Sequence, residues 1–227
     1  MQWIHQFQLV LFDFDGLLVN TEELHYLAYQ RMCAARGINF DWSFDYYCQL
    51  AHYSADGLRR ELYRQFPILN EQEPRWEILY AEKKNAIFNI LNERPIQLMS
   101  GVEKLLQALT KANVRCCVVT NSPKELVDIV RKKNAILNTI PNWMTRERYT
   151  HPKPDPESYL KAIEIYGRPG DKIIGFEDTP RGLTALMGTP AMPILICTSD
   201  YPEIPALIAR GARHFRTFED VPDNLHV

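Results

Sequence analysis

Acidic side chains follow two separated apolar runs of this 227-residue chain, and two other short stretches carry hydroxyl groups and a lysine. The four stretches, in chain order, are Asp13-Phe14-Asp15-Gly16, Thr120-Asn121-Ser122, Lys153-Pro154-Asp155-Pro156 and Glu177-Asp178. Asp13 and Asp15 are two residues apart, so an extended backbone points both carboxyl groups to the same side. Carboxylates, a hydroxyl group and an ammonium group are together the side chains that a phosphoryl-transfer site needs.

Each of these groups has a chemical task in such a site. Asp13 could attack phosphorus and form an aspartyl-phosphate. Asp15 could protonate the leaving oxygen and later deprotonate water. Thr120 offers a hydroxyl donor and Lys153 a positive charge for the phosphoryl oxygens. Because clustered carboxylates repel one another unless a cation lies among them, and because hard oxygen ligands suit Mg²⁺, the sequence predicts a magnesium site as well.

Buried strands are predicted to hold these residues in place. Runs that are apolar on both faces are typical of central strands in a parallel sheet that helices cover. Such runs occur at residues 7–14, 114–119, 172–176 and 192–197, with a shorter one at 214–218. From about residue 100 onward these runs alternate with helical patterns, which favours a doubly wound α/β fold. Ligand sites in open parallel sheets form at the carboxyl ends of the strands, where three of the four stretches stand.

The segment from residue 21 to residue 94 interrupts this alternation. It shows helical patterns at residues 22–36, 54–65 and 74–92 and no buried strand. The sequence therefore predicts a catalytic core formed by residues 1–20 and 95–227. Residues 21–94 are expected to form a helical domain inserted after the first strand.

Composition limits the classes of partner. The formal net charge is −2 and the isoelectric point is about 6.3, so no basic face for nucleic acid is expected. No apolar stretch approaches the roughly 20 residues of a membrane span. The first ten residues lack Lys and Arg, so they make a poor signal peptide. The five cysteines show no CxxC spacing, which favours buried free thiols in a reducing cytoplasm. We expect a cytoplasmic enzyme, a monomer or weak dimer, that acts on a small phosphoester and binds neither nucleic acid nor membrane.

The four stretches resemble the four ordered motifs of the haloacid dehalogenase superfamily. The resemblance spans nearly the whole chain and implies a Rossmann-like core with a helical cap that closes over the site. It assigns Asp13 as nucleophile and metal ligand. It assigns Asp15 as acid and base, with its backbone carbonyl also on Mg²⁺. Asp178 would complete the metal site, with Glu177 beside it as a ligand or just behind the ligands.

The resemblance also assigns the groups that hold the phosphoryl group, namely Thr120, Asn121 and Lys153. Dehalogenases of the superfamily lack an aspartate at the position of Asp15, whereas phosphatases and phosphomutases have it. The resemblance therefore indicates phosphoryl chemistry and argues against a dehalogenase.

Within the superfamily the chain is most similar to the β-phosphoglucomutase-like group. This similarity implies substrate contacts for a further set of residues, namely Thr21, His25, Lys84 and Ser122. The mutase pattern expects glycine where His52 stands and arginine where Ala55 stands. In the mutase, that arginine binds the second phosphate of a sugar bisphosphate. Its absence here removes a bidentate phosphate contact and favours a phosphatase.

Two other functions stay open at this point. The first is a sugar-phosphate mutase of the same fold, which would need a bisphosphate intermediate. The second is a non-catalytic binding protein, because a fold alone does not prove an activity. A degenerate member should have lost Asp13, Asp15, Lys153 or Asp178, and this chain keeps all four.

Overall fold

The computed structural model describes residues 1–53 and 55–225, and the chain forms two compact units. The sheet unit comprises Met1–Asn20 and Gln97–Val227, and the helical unit comprises Thr21–Ile96. The predicted division placed the second boundary two residues earlier, after residue 94. Among the described residues, no helix has both the length and the apolar character needed to cross a bilayer.

Among its described residues, the helical unit contains five helices. They are α1 (Glu22–Ala35), α2 (Phe44–Ala51), α3 (Ala55–Gln65), α4 (Pro67–Gln72) and α5 (Trp76–Glu93). The patterns predicted α1, α3 and α5, although the expected start of α3 at Ser54 lies outside the described residues. Helices α2 and α4 are short and were not predicted from the sequence. At α2 the Ser43 hydroxyl accepts a hydrogen bond from the Tyr46 amide at 3.2 Å, as an N-cap residue does.

Aromatic rings fill the core of the helical unit. The centroid of the Phe40 ring lies 5.0–6.5 Å from the centroids of neighbouring aromatic rings. These rings belong to Tyr26, Tyr29, Trp42 and Phe66. Rings at these separations contribute beyond the area that they bury. The helical unit therefore has an apolar core of its own, which a separately folded insertion requires.

The sheet unit is built on a six-stranded parallel sheet. Its strands are β1 (Leu9–Phe12), β2 (Arg115–Val119), β3 (Asn142–Met144), β4 (Ile173–Glu177), β5 (Met192–Ile196) and β6 (Arg213–Phe215). The strand order is β3-β2-β1-β4-β5-β6. All four residues of the central β1 are completely buried, because helices cover both faces of the sheet. The predicted α/β class with a Rossmann-like core is confirmed.

Helices connect the strands of the sheet unit. They are α6 (Val102–Lys111), α7 (Lys124–Lys133), α8 (Glu157–Tyr166), α9 (Pro180–Met187) and α10 (Ile204–Ala209). Short 3₁₀ turns add to them at Gln2–Gln6, Ala135–Thr139, Arg146–Arg148 and Phe218–Asp220. α6 buries a stripe at i, i+3 and i+4 spacing, made by Val102, Leu105, Leu106 and Leu109. The chain returns from the helical unit with Asn20 N–H donating to the Gln97 carbonyl at 2.9 Å.

Candidate active site

Three neighbouring strands place polar residues at one edge of the sheet. Asp13 follows β1, Thr120 follows β2 and Glu177 is the last residue of β4. The Asp13 amide donates to the Phe176 carbonyl at 2.9 Å, and the Thr120 amide donates to the Met144 carbonyl at 3.0 Å. The backbones of these residues are therefore tied to the strands beside them, which fixes where each side chain begins.

Lys153 lies at the centre of this group. Its ammonium nitrogen is 2.5 Å from Asp13 Oδ1 and 2.7 Å from Glu177 Oε1, and it donates to the Val119 carbonyl at 2.7 Å. Burial lowers the pKa of Lys153, but the Asp13 and Glu177 carboxylates outweigh burial and hold it above its usual value. Lys153 therefore stays charged at neutral pH and offsets part of the carboxylate charge around it.

Tyr159, on α8, connects two of these groups. Its hydroxyl donates to Glu177 Oε1 at 2.5 Å and accepts from Lys153 Nζ at 3.1 Å. Burial, with the Glu177 and Asp13 carboxylates, raises the pKa of Tyr159 well above its usual value. The phenol therefore keeps its proton and can hold both neighbours in place.

Three carboxyl groups form a cluster that could hold a cation. One oxygen each from Asp13, Glu177 and Asp178 lies within 4.8 Å of the others. Oxygen ligands of Mg²⁺ stand at about 2.0–2.1 Å from the ion and so about 3–4 Å from one another. Burial, the largest effect, and the Asp13 carboxylate raise the pKa of Glu177 above its usual range, although Lys153 opposes them. The donor set, the spacing and this crowding of charge fit a hard divalent cation.

Two glycines leave room for these carboxylates. A Cβ atom at Gly16, which has a φ of +80°, would lie 2.2 Å from Asp178 Oδ2. A Cβ atom at Gly182 would lie 2.0 Å from Glu177 Oε2. Any larger residue at either position would displace a carboxylate of the cluster.

Asp15 is held by hydroxyl groups from the segment after β2. Ser122 Oγ donates to Asp15 Oδ2 at 2.5 Å, and Thr120 Oγ1 donates to the same oxygen at 3.3 Å. Thr120 Oγ1 also accepts the Ser122 amide at 2.9 Å. Pro123 is the N-cap residue of α7, which begins at Lys124, so Ser122 does not cap this helix. The Ser122 hydroxyl is directed to Asp15 instead.

The loop that carries Lys153 is held by hydrogen bonds that involve Asn121 and Tyr149. Tyr149 hydroxyl contacts both Asn121 Oδ1, at 2.6 Å, and the Thr120 carbonyl, at 2.8 Å. The Lys153 amide donates to Asn121 Oδ1 at 3.4 Å. In this structure the Asn121 side-chain carbonyl therefore positions the loop, and its predicted contact with a phosphoryl group stays a prediction.

The remaining predicted residues lie in the helical unit. Thr21 is fully buried just before α1. His25 Nδ1 accepts from Lys83 Nζ at 2.7 Å, and burial followed by the charge of Lys83 lowers the pKa of His25 to about 3. Lys84 is exposed, with its ammonium group 5.1 Å from the centre of the Tyr80 ring. The buried lysine of this pair is Lys83, and the substrate contacts predicted for Thr21, His25 and Lys84 stay predictions.

No site role was predicted from the sequence for Tyr149, Tyr159, Gly182 or Lys83. Tyr159 and Ala162 are buried at i and i+3 of α8, so the pattern marks Tyr159 only as core. Gly182 follows the fourth motif in the first turn of α9, and only the structure shows its close approach to Glu177. A search for tyrosines at core positions next to the motifs would have found Tyr159.

Comparison with known proteins gives the family. Residues 10–187 match the model of the haloacid dehalogenase-like hydrolase family. A Drosophila melanogaster protein named "Probable pseudouridine-5'-phosphatase" is 30% identical over 183 residues, which cover 77% of this chain and 75% of that protein. A Mycobacterium bovis protein named β-phosphoglucomutase is 26% identical over 196 residues, or 77% of this chain and 75% of that protein.

A solved structure shows the same fold. It is a haloacid dehalogenase hydrolase of family IA, variant 3, from Entamoeba histolytica, with a TM-score of 0.72 and 26% identity. The structural match covers 95% of this chain and 95% of the Entamoeba histolytica chain. The family match and the names of the relatives confirm the predicted enzyme class, a phosphoric monoester hydrolase of the haloacid dehalogenase type. The chain belongs to the haloacid dehalogenase-like hydrolase family.

Proposed function

We propose that this protein is a Mg²⁺-dependent phosphatase that hydrolyses a small phosphomonoester, such as a sugar phosphate, through an aspartyl-phosphate on Asp13. The observation that carries the proposal is the position of Asp13. Its carboxylate follows the central strand, is 8% exposed, contacts Lys153 and belongs to the cluster with Glu177 and Asp178. A nucleophilic carboxylate beside a fixed cation and a cation-binding cluster is suited to attack on an anionic phosphate.

The reaction would proceed in two displacements. In the first, an Asp13 oxygen bonds to phosphorus, the bond from phosphorus to the leaving oxygen breaks, and Asp15 gives that oxygen a proton. In the second, water attacks phosphorus, Asp15 takes a proton from the water, and the bond between Asp13 and phosphorus breaks. Lys153 and Thr120 would hold the phosphoryl oxygens in both steps. Asp15 is already held by Thr120 and Ser122 at the same strand end.

The metal would be bound by Asp13, the backbone carbonyl of Asp15, Asp178 and, directly or through a neighbouring ligand, Glu177. When bound, Mg²⁺ supplies positive charge that offsets the carboxylates and the phosphate. We also propose that the enzyme acts in the cytoplasm, as a monomer or weak dimer, on a small metabolite and with neither nucleic acid nor membrane as a partner.

A panel of metabolite phosphomonoesters tests this proposal. Phosphate release is measured for each compound with excess Mg²⁺ and, in parallel, with excess EDTA. We expect release that requires Mg²⁺ and is concentrated on one or a few sugar or nucleoside phosphates. Release that persists equally in EDTA would contradict the metal requirement, and no release from any ester by folded protein would contradict the phosphatase.

A sugar-phosphate mutase is the second candidate function, and the similarity to a protein named β-phosphoglucomutase favours it. Ala55 stands where the mutase pattern expects the arginine that binds the second phosphate, which weighs against it. The same panel decides between the two functions when isomer formation is followed as well. A strict requirement for a sugar bisphosphate, with isomerisation and little phosphate release, would support the mutase.

A further inference from the structure

The helical unit contains a second group of side chains of the types that bind metal ions. One atom each from Glu22, Cys48 and His52 lies within 4.8 Å of the others, and all three side chains are half-buried. His52 Nε2 is 3.6 Å from Glu22 Oε1. These three residues are called the Cys48 cluster below.

The backbone explains why these side chains meet. Cys48 lies on α2 and His52 is its C-cap residue, so the two are four residues apart on one helix face. Glu22 is the first residue of α1, and α1 and α2 pack against each other within the helical unit. The β-phosphoglucomutase pattern has glycine where His52 stands. The imidazole is therefore a departure from that pattern, and the cluster depends on it.

We propose that the Cys48 cluster binds a transition-metal ion of the Zn²⁺ class. A thiolate, an imidazole and a carboxylate are all ligands that Zn²⁺ takes, at about 2.0–2.3 Å, which puts neighbouring ligand atoms about 3.3–3.8 Å apart. The 3.6 Å between His52 Nε2 and Glu22 Oε1 falls in that range, and all three ligand atoms lie within 4.8 Å of one another. A thiolate is a poor ligand for Mg²⁺, so this site would not compete for the ion of the sheet unit.

Three protein ligands leave a fourth position for water. Metal binding would tie the first turn of α1 to the end of α2, and a ligand that binds only the folded state stabilises it by mass action. The site is therefore expected to stabilise the helical unit.

Cobalt is a probe that separates the two metal sites. Co²⁺ bound to a thiolate shows an intense charge-transfer absorption in the near ultraviolet, whereas Co²⁺ on oxygen ligands alone does not. Co²⁺ is added to the reduced protein, with a non-thiol reductant and excess Mg²⁺ present, and the absorption is followed to saturation. We expect saturation at one equivalent, displacement of Co²⁺ by one equivalent of Zn²⁺, and loss of the band in Cys48→Ser.

Matched variants make the test specific. Cys197→Ser is the control, because Cys197 Sγ lies 3.5 Å from His214 Nε2 and is therefore a second thiol beside an imidazole that could give the band. We expect Cys197→Ser to keep the band. His52→Gln and Glu22→Gln should each weaken Zn²⁺ binding by about tenfold or more in calorimetry. They should also reduce the rise in melting temperature that Zn²⁺ produces.

Three results would overturn the proposal. The first is no charge-transfer band in the wild-type protein. The second is a band that survives Cys48→Ser or disappears in Cys197→Ser. The third is Zn²⁺ affinity that is unchanged in His52→Gln, a variant that also serves if Cys48→Ser does not fold, as checked by circular dichroism. None of these measurements uses phosphatase activity, so they stand or fall separately from the proposed function.

Discussion

The ammonium group of Lys153 lies 2.7 Å from Glu177 Oε1, and the two side chains are only 4% and 1% exposed. Lys153 also contacts Asp13, so it is shared by two buried carboxylates. Buried charges are tolerated only when they are paired and hydrogen-bonded. The structure of the site therefore depends on this lysine before any substrate is bound.

Replacing Lys153 with methionine should leave Asp13 and Glu177 without their shared cation. Breaking a buried ion pair from one side costs about 3–5 kcal/mol, so the free energy of unfolding should fall by about that amount without divalent ions. Because Mg²⁺ would supply positive charge to the same carboxylates, it should stabilise Lys153→Met more than the wild type.

Urea denaturation with and without MgCl₂ measures both effects. The control is Lys172→Met, at an exposed position, which should change stability by no more than about 0.5 kcal/mol. A Lys153→Met variant as stable as the wild type in EDTA would contradict the view that this lysine holds the carboxylates.

The Tyr159 hydroxyl should matter because it bridges Lys153 and Glu177. Tyr159→Phe leaves a buried carboxylate oxygen one hydrogen bond short, so a loss of about 1–3 kcal/mol in stability is expected. We expect kcat to fall with little change in KM, because the phenylalanine ring stays packed in the core and only the hydroxyl group is lost. Tyr166→Phe is the matched control, because Tyr166 ends the same helix but its hydroxyl makes an exposed contact with Arg148. Equal behaviour of the two variants would argue against the bridging role.

Gly16 and Gly170 separate backbone strain from crowding of the site. Both have positive φ, +80° and +85°, but a Cβ atom meets Asp178 Oδ2 at 2.2 Å in the first and nothing within 4 Å in the second. Alanine should therefore cost about 1–2 kcal/mol of left-handed strain at both positions. Only Gly16→Ala should also raise the Mg²⁺ concentration needed for half-maximal activity. Magnesium titrations of both variants measure this, and equal requirements would show that Gly16 does not make room for the carboxylate.

His25 should make the stability of the protein depend on pH. Its pKa is lowered to about 3 by burial and by Lys83, whereas in the unfolded chain it is about 6.5. Between these values the unfolded state binds a proton that the folded state does not, so stability falls as pH falls from 6.5. At pH 5 the loss is about 2 kcal/mol relative to pH 8.

The pH effect is tested with His25→Asn, in which the amide oxygen can still accept from Lys83. Unfolding free energies at pH 8, 6.5 and 5 should show a shallower dependence in this variant than in the wild type. The exposed His5 provides the control variant His5→Asn, which should keep the wild-type slope. An unchanged slope in His25→Asn would contradict the buried, neutral state of His25.

The sequence could predict which side chains meet at the strand ends, because parallel strands bring their carboxyl ends to one edge. Asp13, Thr120 and Glu177 each follow or end an apolar run, and the structure places them on adjacent strands. The strand β3 was missed because its three residues, Asn142–Met144, are too few and too mixed to show an apolar run.

Side-chain direction on helices was harder to predict than strand ends. One residue along a helix turns the side chain by about 100°. Which of Lys83 and Lys84 is buried therefore depends on helix phase, which the pattern of α5 does not fix to one residue. The Tyr159 hydroxyl was missed for a different reason. A buried tyrosine looks like any core aromatic residue in the sequence, and only the packed structure shows what its oxygen contacts.

The measurement that tests the central claim most directly is kcat/KM of Asp13→Asn, with saturating Mg²⁺ and the best ester from the panel. Asparagine keeps the shape of the side chain but is not a nucleophile, so we expect a loss of about 10³-fold or more. The matched control is Asp128→Asn, at a partly exposed ion pair with Lys124, which should keep wild-type activity. Asp13→Asn protein that is folded and turns over at the wild-type rate would contradict an aspartyl-phosphate on Asp13.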